Sequence, residues 1–257
     1  MSRIQNAFDL RKAFVAFLTC GDPDLESTEQ YIEAIAKAGA DLIELGIPFS
    51  DPTAEGPVIQ AANMRALAGC VTAEKIFDMV RRVRPKVKVP MVFMTYANVV
   101  FSYGTERFLS TAAEIGVDGI ILPDVPYEER EDFAPACEKY GLDFISLIAP
   151  TSKERVAMIA KEAAGFLYCV SSPRGRGNCS ITSDIASMME LVRSATKLPA
   201  AISFDMATPE QAESMARYGD GIIVGSTIVK LIAEHGREAE PYLSAYVRSM
   251  KEAVSRA

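Results

Sequence analysis

The chain is poor in the residues that carry several common chemistries. It has one histidine, His235, near the end of its 257 residues. A Ser-His-Asp or Cys-His site would need that residue in the catalytic cleft. A place at the surface or at a helix terminus is expected for it instead. Five cysteines at 20, 70, 137, 169 and 179 form neither a disulfide framework nor a metal-ligand spacing. A reducing, cytoplasmic setting fits them best. No stretch approaches ~18 uninterrupted apolar residues, so no membrane span is expected. The opening residues, MSRIQNAFDLRKAF, lack the apolar run of a signal peptide. Cationic excess is missing too: a net charge of −7 argues against nucleic acid or an anionic membrane surface as partner. Low-complexity and linker-like tracts are absent.

What is present is apolar and regularly alternating. At 49% hydrophobic, the chain can build a large core, and its length suits one α/β barrel without a second domain. Strand-like segments are expected at 13–18, 41–45, 90–95, 119–122, 143–148, 165–170, 199–203 and 221–224. Between them, helical periodicity runs over 27–39, 58–68, 73–83, 106–115, 127–140, 153–163, 183–195 and 209–218. Helices over 226–234 and 241–254 follow, and residues 2–11 read as a lead-in helix. The strands are short, apolar on both faces and free of two-residue hairpin turns, as in a parallel sheet covered by helices. Eight such units predict a (β/α)8 barrel over 1–257, with an additional N-terminal helix and extra helices. A doubly wound open sheet is the second architecture. In a barrel, catalytic groups belong at the C-terminal ends of the strands and in the loops after them.

The stretch Asp41–Gln60, DLIELGIPFSDPTAEGPVIQ, puts an acid where that rule looks for one. Glu44 interrupts the apolar run of the second strand. A buried acid is costly unless it has a partner or a task, and desolvation raises its pKa. Glu55 follows eleven positions later, in a loop that starts at Gly46 and Pro48. One acid fixed on a strand and a second above it suit proton transfer at two points of one substrate. A structural glutamate held by backbone amides, under an ordinary solvated loop, is the competing reading. Asp124 and Tyr168 fall near the ends of the fourth and sixth strands, on the same rim.

The run ELGIPFSDPTAEGPVIQ closely resembles the signature of the tryptophan synthase alpha chain family. Phe17-Leu18-Thr19-Cys20-Gly21-Asp22-Pro23, Tyr96-Ala97-Asn98, Leu122-Pro123-Asp124-Val125-Pro126 and Gly225-Ser226-Thr227-Ile228-Val229-Lys230 extend the resemblance in family order over nearly the whole chain. It implies aldol cleavage of indole-3-glycerol phosphate to indole and glyceraldehyde 3-phosphate. Glu44 and Glu55 would be the catalytic acids, with no metal or cofactor in this chain. Phe17, Ile59, Met94, Ile121 and Tyr168 would lie around the indole. Each of these apolar residues is, taken singly, ordinary core. The implied partner is a pyridoxal-phosphate-dependent beta chain in an α2β2 complex, with indole passing between the two. Asp51-Pro52 and Tyr96-Ala97-Asn98 would face that partner.

Three departures from the family pattern stand out. Glu55 replaces the family's second catalytic aspartate; restoring it by Glu55→Asp is expected to keep or raise activity. Asp205 stands in Ser203-Phe204-Asp205-Met206, where the family shows Gly-Phe-Gly-Ile, and would repel a phosphate. The loop Ser171–Asn178 carries Arg174 and Arg176 beside Gly177, and these offset that charge or bind the phosphate directly. Gly225 and Ser226, at a helix start, are the remaining phosphate candidates; a plain helix cap is the simpler reading of them. The glutamate leaves room for a weakly active alpha-type subunit that mainly binds and regulates a beta chain. A free-standing phosphate-sugar lyase or isomerase is a third possibility.

Overall fold

The computed structural model describes residues 2–9, 11–149, 152–170 and 181–257. A short helix α1 (Arg3–Asn6) leads into β1 (Ala13–Thr19), α2 (Leu25–Ala38) and β2 (Leu42–Gly46). Two helices follow, α3 (Pro57–Ala68) and α4 (Ala73–Val83), then β3 (Met91–Met94). After it come α5 (Ala97–Tyr103), α6 (Thr105–Glu114) and β4 (Gly119–Ile121). A 3-10 turn at Tyr127–Asp132 precedes α7 (Ala134–Tyr140), β5 (Asp143–Ile148), α8 (Lys153–Lys161) and β6 (Leu167–Val170). The chain then runs through α9 (Ile181–Ala195), β7 (Ala200–Ser203), α10 (Pro209–Ala216), β8 (Gly221–Val224), α11 (Ser226–His235) and α12 (Glu240–Val254).

The strands pair in sequence order, all parallel, and β8 closes on β1 to complete a barrel. This is the (β/α)8 architecture expected above. Alternation along each strand divides the apolar residues between two cores. Val15, Leu42, Val92, Ile121, Ile145, Phe166 and Ile223 cluster within the barrel. Their neighbours Ala16, Ile43, Phe93, Ile120 and Ile222 belong to the larger cluster under the helices. There Phe77 of α4 packs edge-on to Phe108 of α6 at 5.1 Å. The barrel's N-terminal end is plugged by Ile4 and by Phe8, whose ring lies 5.3 Å from Phe166. The lumen therefore has its usable opening at the other end.

The outer ring is tied shut by Lys251 of α12. Its ammonium meets the Asp41 carboxylate at 2.6 Å and the Lys12 carbonyl at 2.9 Å. Asp41 also accepts from the Phe14 amide at 2.7 Å, so the last helix is clamped to the first two strands.

Two elements differ from expectation. Ala97–Tyr103 is helical although its Ala-Asn-Val-Val-Phe-Ser-Tyr composition favours strand. The Asp124 carboxylate caps it from another loop, both oxygens accepting from the Ala97 amide at 3.1 Å. The helix expected over 127–140 is split at Phe133, just ahead of Pro135. Proline lacks the N–H that would carry an α-helix through that point.

Candidate active site

Glu44 stands on the inner wall of β2, in register with Phe17 of β1 and Val92 of β3. It is 0% exposed, and neither carboxyl oxygen has a hydrogen-bond partner among the described residues. The competing picture of a glutamate satisfied by backbone amides finds no such bond among those residues. Burial first, and the charge of Glu55 second, push its carboxyl up to about 8. It is thus protonated at neutral pH and presents an O–H at the mouth of the barrel.

Glu55 hangs over that mouth from the loop between β2 and α3. It is half-buried, and burial raises its pKa while a hydrogen bond from Tyr96 opposes the rise. Tyr96 donates its phenol O–H to Glu55 Oε2 and accepts from the Ala54 amide at 2.9 Å. Gln60 Nε2 holds the Glu55 carbonyl at 2.9 Å. The two acids therefore sit in different settings: among the described residues Glu44 has no partner, while Glu55 has a hydrogen-bond donor. The Tyr96 hydrogen bond favours the ionised form of Glu55, and Glu44 has no counterpart to it among those residues. Tyr96 belongs to the segment expected to face a partner chain. Its ring instead lies buried beneath the loop, stacked on Phe49 at 5.0 Å. Nothing in residue spacing indicates that a side chain 41 positions away would hold Glu55.

Phe17, Ile59 and Met94 share one small apolar cluster with Val58, Ala62 and Val229. Met94 also packs against the lumen cluster containing Ile121 and Tyr168. The five expected apolar residues thus form a continuous lining next to Glu44. Two glycines make room for it. A Cβ on Gly46 would come 2.7 Å from Phe17 Cζ, and one on Gly225 would come 3.1 Å from Phe17 Cδ1. Any side chain at either position would displace the ring. Tyr168 is buried, its hydroxyl 3.3 Å from Ser203 Oγ. Burial and the charges of Glu44 and Glu55 hold its phenol well above the ordinary range. Both acids and Tyr168 therefore act on one poorly solvated space.

At the far side of Phe17, Gly225 is the residue before α11 and makes no side-chain cap there. The simple cap by Ser226 is thus not formed. The first amides of the helix, starting at Ser226, have no intrahelical acceptor and point outward from its start. Asp205, in the loop after β7, is exposed nearby. Its neighbour Met206 offers its carbonyl to Thr227 Oγ1 of α11 at 3.1 Å. Arg174, Arg176 and Gly177 lie outside the described residues.

The remaining candidates resolve simply. His235 ends α11 and stacks on Tyr242 at 3.5 Å, away from the mouth. Cys20 is buried in the outer core, where burial pushes its thiol far above the range of a nucleophile. Among the described residues, no group of three or more His, Cys, Asp or Glu is arranged to hold a metal ion. No helix of those residues is long and apolar enough to cross a membrane.

Comparison with known proteins agrees with this fold and points to one family. A family model described as "Tryptophan synthase alpha chain" matches residues 5–255. The tryptophan synthase alpha chain of Lacticaseibacillus casei is 44% identical over 255 residues, spanning 99% of this chain and 96% of that one. That of Geobacter sulfurreducens is 45% identical over 257 residues, covering 95% and 97%. Among solved structures, tryptophan synthase subunit alpha from Legionella pneumophila superposes with a TM-score of 0.90 at 34% identity, over 100% of both chains. A chain of M. tuberculosis tryptophan synthase, in an aminoacrylate-bound form, gives 0.89 at 30% identity over 99% of this chain and 100% of that one.

Proposed function

The chain belongs to the tryptophan synthase alpha chain family, and from that membership we propose how its own side chains do the family's work. The reaction is the lyase step of tryptophan biosynthesis, cleavage of indole-3-glycerol phosphate to indole and glyceraldehyde 3-phosphate. The observation that carries the mechanism is the buried carboxyl of Glu44, which has no hydrogen-bond partner among the described residues and is pushed up by burial and by a second, hydrogen-bonded acid, Glu55.

Indole C3 is a weak base, and the bond to be broken joins it to the hydroxyl-bearing carbon of the glycerol chain. Glu44 donates its proton to C3, which leaves the ring as a cation with its charge centred on N1. Glu55, as a carboxylate, faces the ring N–H and stabilises that charge. Glu44 is now the anion. It takes the proton of the glycerol hydroxyl, the oxygen closes to a carbonyl, and the carbon–carbon bond breaks. Its electron pair returns to the ring and restores indole. Glu44 ends protonated, as it began, so one group serves as acid and then as base. Each such transfer is worth ~10²–10⁴-fold in rate. Family members carry no cofactor of their own, and every proton here is moved by these side chains.

Phe17, Ile59, Met94 and Tyr168, with Ile121, hold the flat ring. The α11 N-terminus at Gly225–Ser226 takes the phosphate, joined by Arg174, Arg176 and Gly177 from the loop after β6. Residues 1–257 act as one barrel domain in the cytoplasm. The partner is a beta chain with its pyridoxal phosphate, in an α2β2 complex. The exposure of Asp51 and Asn98 near the barrel mouth supports a docking surface there.

The test is Glu44→Gln, which keeps the shape and removes the titrating group. Indole release is expected to fall by at least ~10³-fold with the circular dichroism spectrum unchanged. Turnover like the wild type would remove Glu44 from the mechanism.

A further inference from the structure

We propose that Tyr96 is a positioning residue matched to a glutamate at 55: its phenol sets where that carboxylate stands, and the pair presents the acceptor to the ring N–H. This rests on the reading of Glu44 and Glu55 as the acid–base groups. It goes beyond that reading by giving the substituted position a structural cause.

One phenol oxygen engages the loop twice. It donates to Glu55 Oε2 and accepts from the Ala54 amide at 2.9 Å, so it fixes both the carboxylate and the backbone just before it. The ring cannot drift. It is 3% exposed and stacks on Phe49, which belongs to the same loop. The adjoining backbone is pinned by Asp124 at the Ala97 amide. On this fixed frame, side-chain length decides reach. An aspartate is one C–C bond shorter, about 1.5 Å, and a hydrogen bond does not stretch that far. The Tyr96 contact therefore reverses the sequence-based expectation that Glu55→Asp keeps or raises activity.

The charges around Glu55 make the contact matter. Glu44 faces it from β2 and Asp124 from the loop after β4, both acidic, while Tyr168 closes the space from β6. Burial and Asp124 push Glu55 toward the protonated form, and the Tyr96 O–H favours the ionised one. Burial and Glu55 itself hold the Tyr96 phenol above its ordinary range, so it remains a donor wherever the enzyme works.

Four full-length proteins test the pair: wild type, Tyr96→Phe, Glu55→Asp and the double variant. Indole release is followed across pH, alone and with a beta chain added. Each single change is expected to lower kcat ~10–100-fold with KM within ~3-fold. The double variant is expected to be no slower than the slower single, since both changes break one contact. In Tyr96→Phe the acidic limb of the kcat/KM profile moves to higher pH. Wild-type kcat in Tyr96→Phe, losses that multiply in the double variant, or an unmoved acidic limb would each overturn the proposal. Glu55→Asp leaves the Tyr96 ring in place, so that arm reads the pair even where Tyr96→Phe loses stability. If Tyr96→Phe keeps its rate while Glu44→Gln loses it, the pairing fails and the acid–base mechanism stands. A wild-type protein that releases no indole overturns the mechanism first.

Discussion

Ionising Glu44 places a charge where neither oxygen has a partner among the described residues. Its carboxyl, pushed up to about 8 in the folded protein against 4.5 for an ordinary glutamate, therefore carries a stability consequence. As pH rises, the unfolded chain gives up this proton first. Stability is lost progressively from about pH 4.5 to about 8, and the loss levels off above that. The glutamine of Glu44→Gln has no such penalty. Above pH 8 that variant is expected to exceed the wild type by a few kcal/mol, on the order of 5 at most. Near pH 4 the two should come together. Denaturant melts at pH 4 and 8.5 check this; an advantage of the same size at both would mean that Glu44 does not titrate in this way. Glu44 was legible in the sequence because an acid inside Leu-Ile-Glu-Leu contradicts its surroundings. The role of Tyr96 was not. A tyrosine beside a strand end looks like any other, and only folding brings its hydroxyl to residue 55.

At the scale of elements, the site is made from strand ends and the turns after them. The strands were easy to read, since runs such as Gly-Ile-Ile-Val at 221–224 admit little else. The short helix Ala97–Tyr103 was hidden, because Asp124, 27 positions further on, supplies its first hydrogen bond. The loop after β7 offers a test at this scale. Asp205 stands in the open beside the first turn of α11, where Thr227 is tied to Met206. An anion here opposes the phosphate that the helix start attracts. Solvent screening keeps the effect modest. In Asp205→Gly, glycerol phosphate is expected to bind ~3- to 10-fold more tightly by calorimetry, about 1 kcal/mol. Unchanged affinity would show that the carboxylate points away from the ligand.

At the scale of the whole molecule, barrel closure turns scattered residues into a site. Pairing of β8 with β1 puts Gly225 against Phe17, and the β1–β2 register sets Phe17 beside Glu44. Residues from opposite ends of the chain thereby line one opening, and the plug of Ile4 and Phe8 leaves that opening as the way in. Composition and periodicity indicated eight units and a barrel. They did not give the register, which depends on all the strands at once. The most direct measurement is a crystal structure with an unreactive analogue that keeps the indole ring and the phosphate but lacks the hydroxyl. Indole C3 is expected within ~3.5 Å of the Glu44 carboxyl, the reach of a reacting pair. The ring N–H should meet Glu55, and the phosphate should rest on the amides at Ser226. A ring bound outside the barrel mouth, or inside it with C3 turned away from Glu44, would contradict the account.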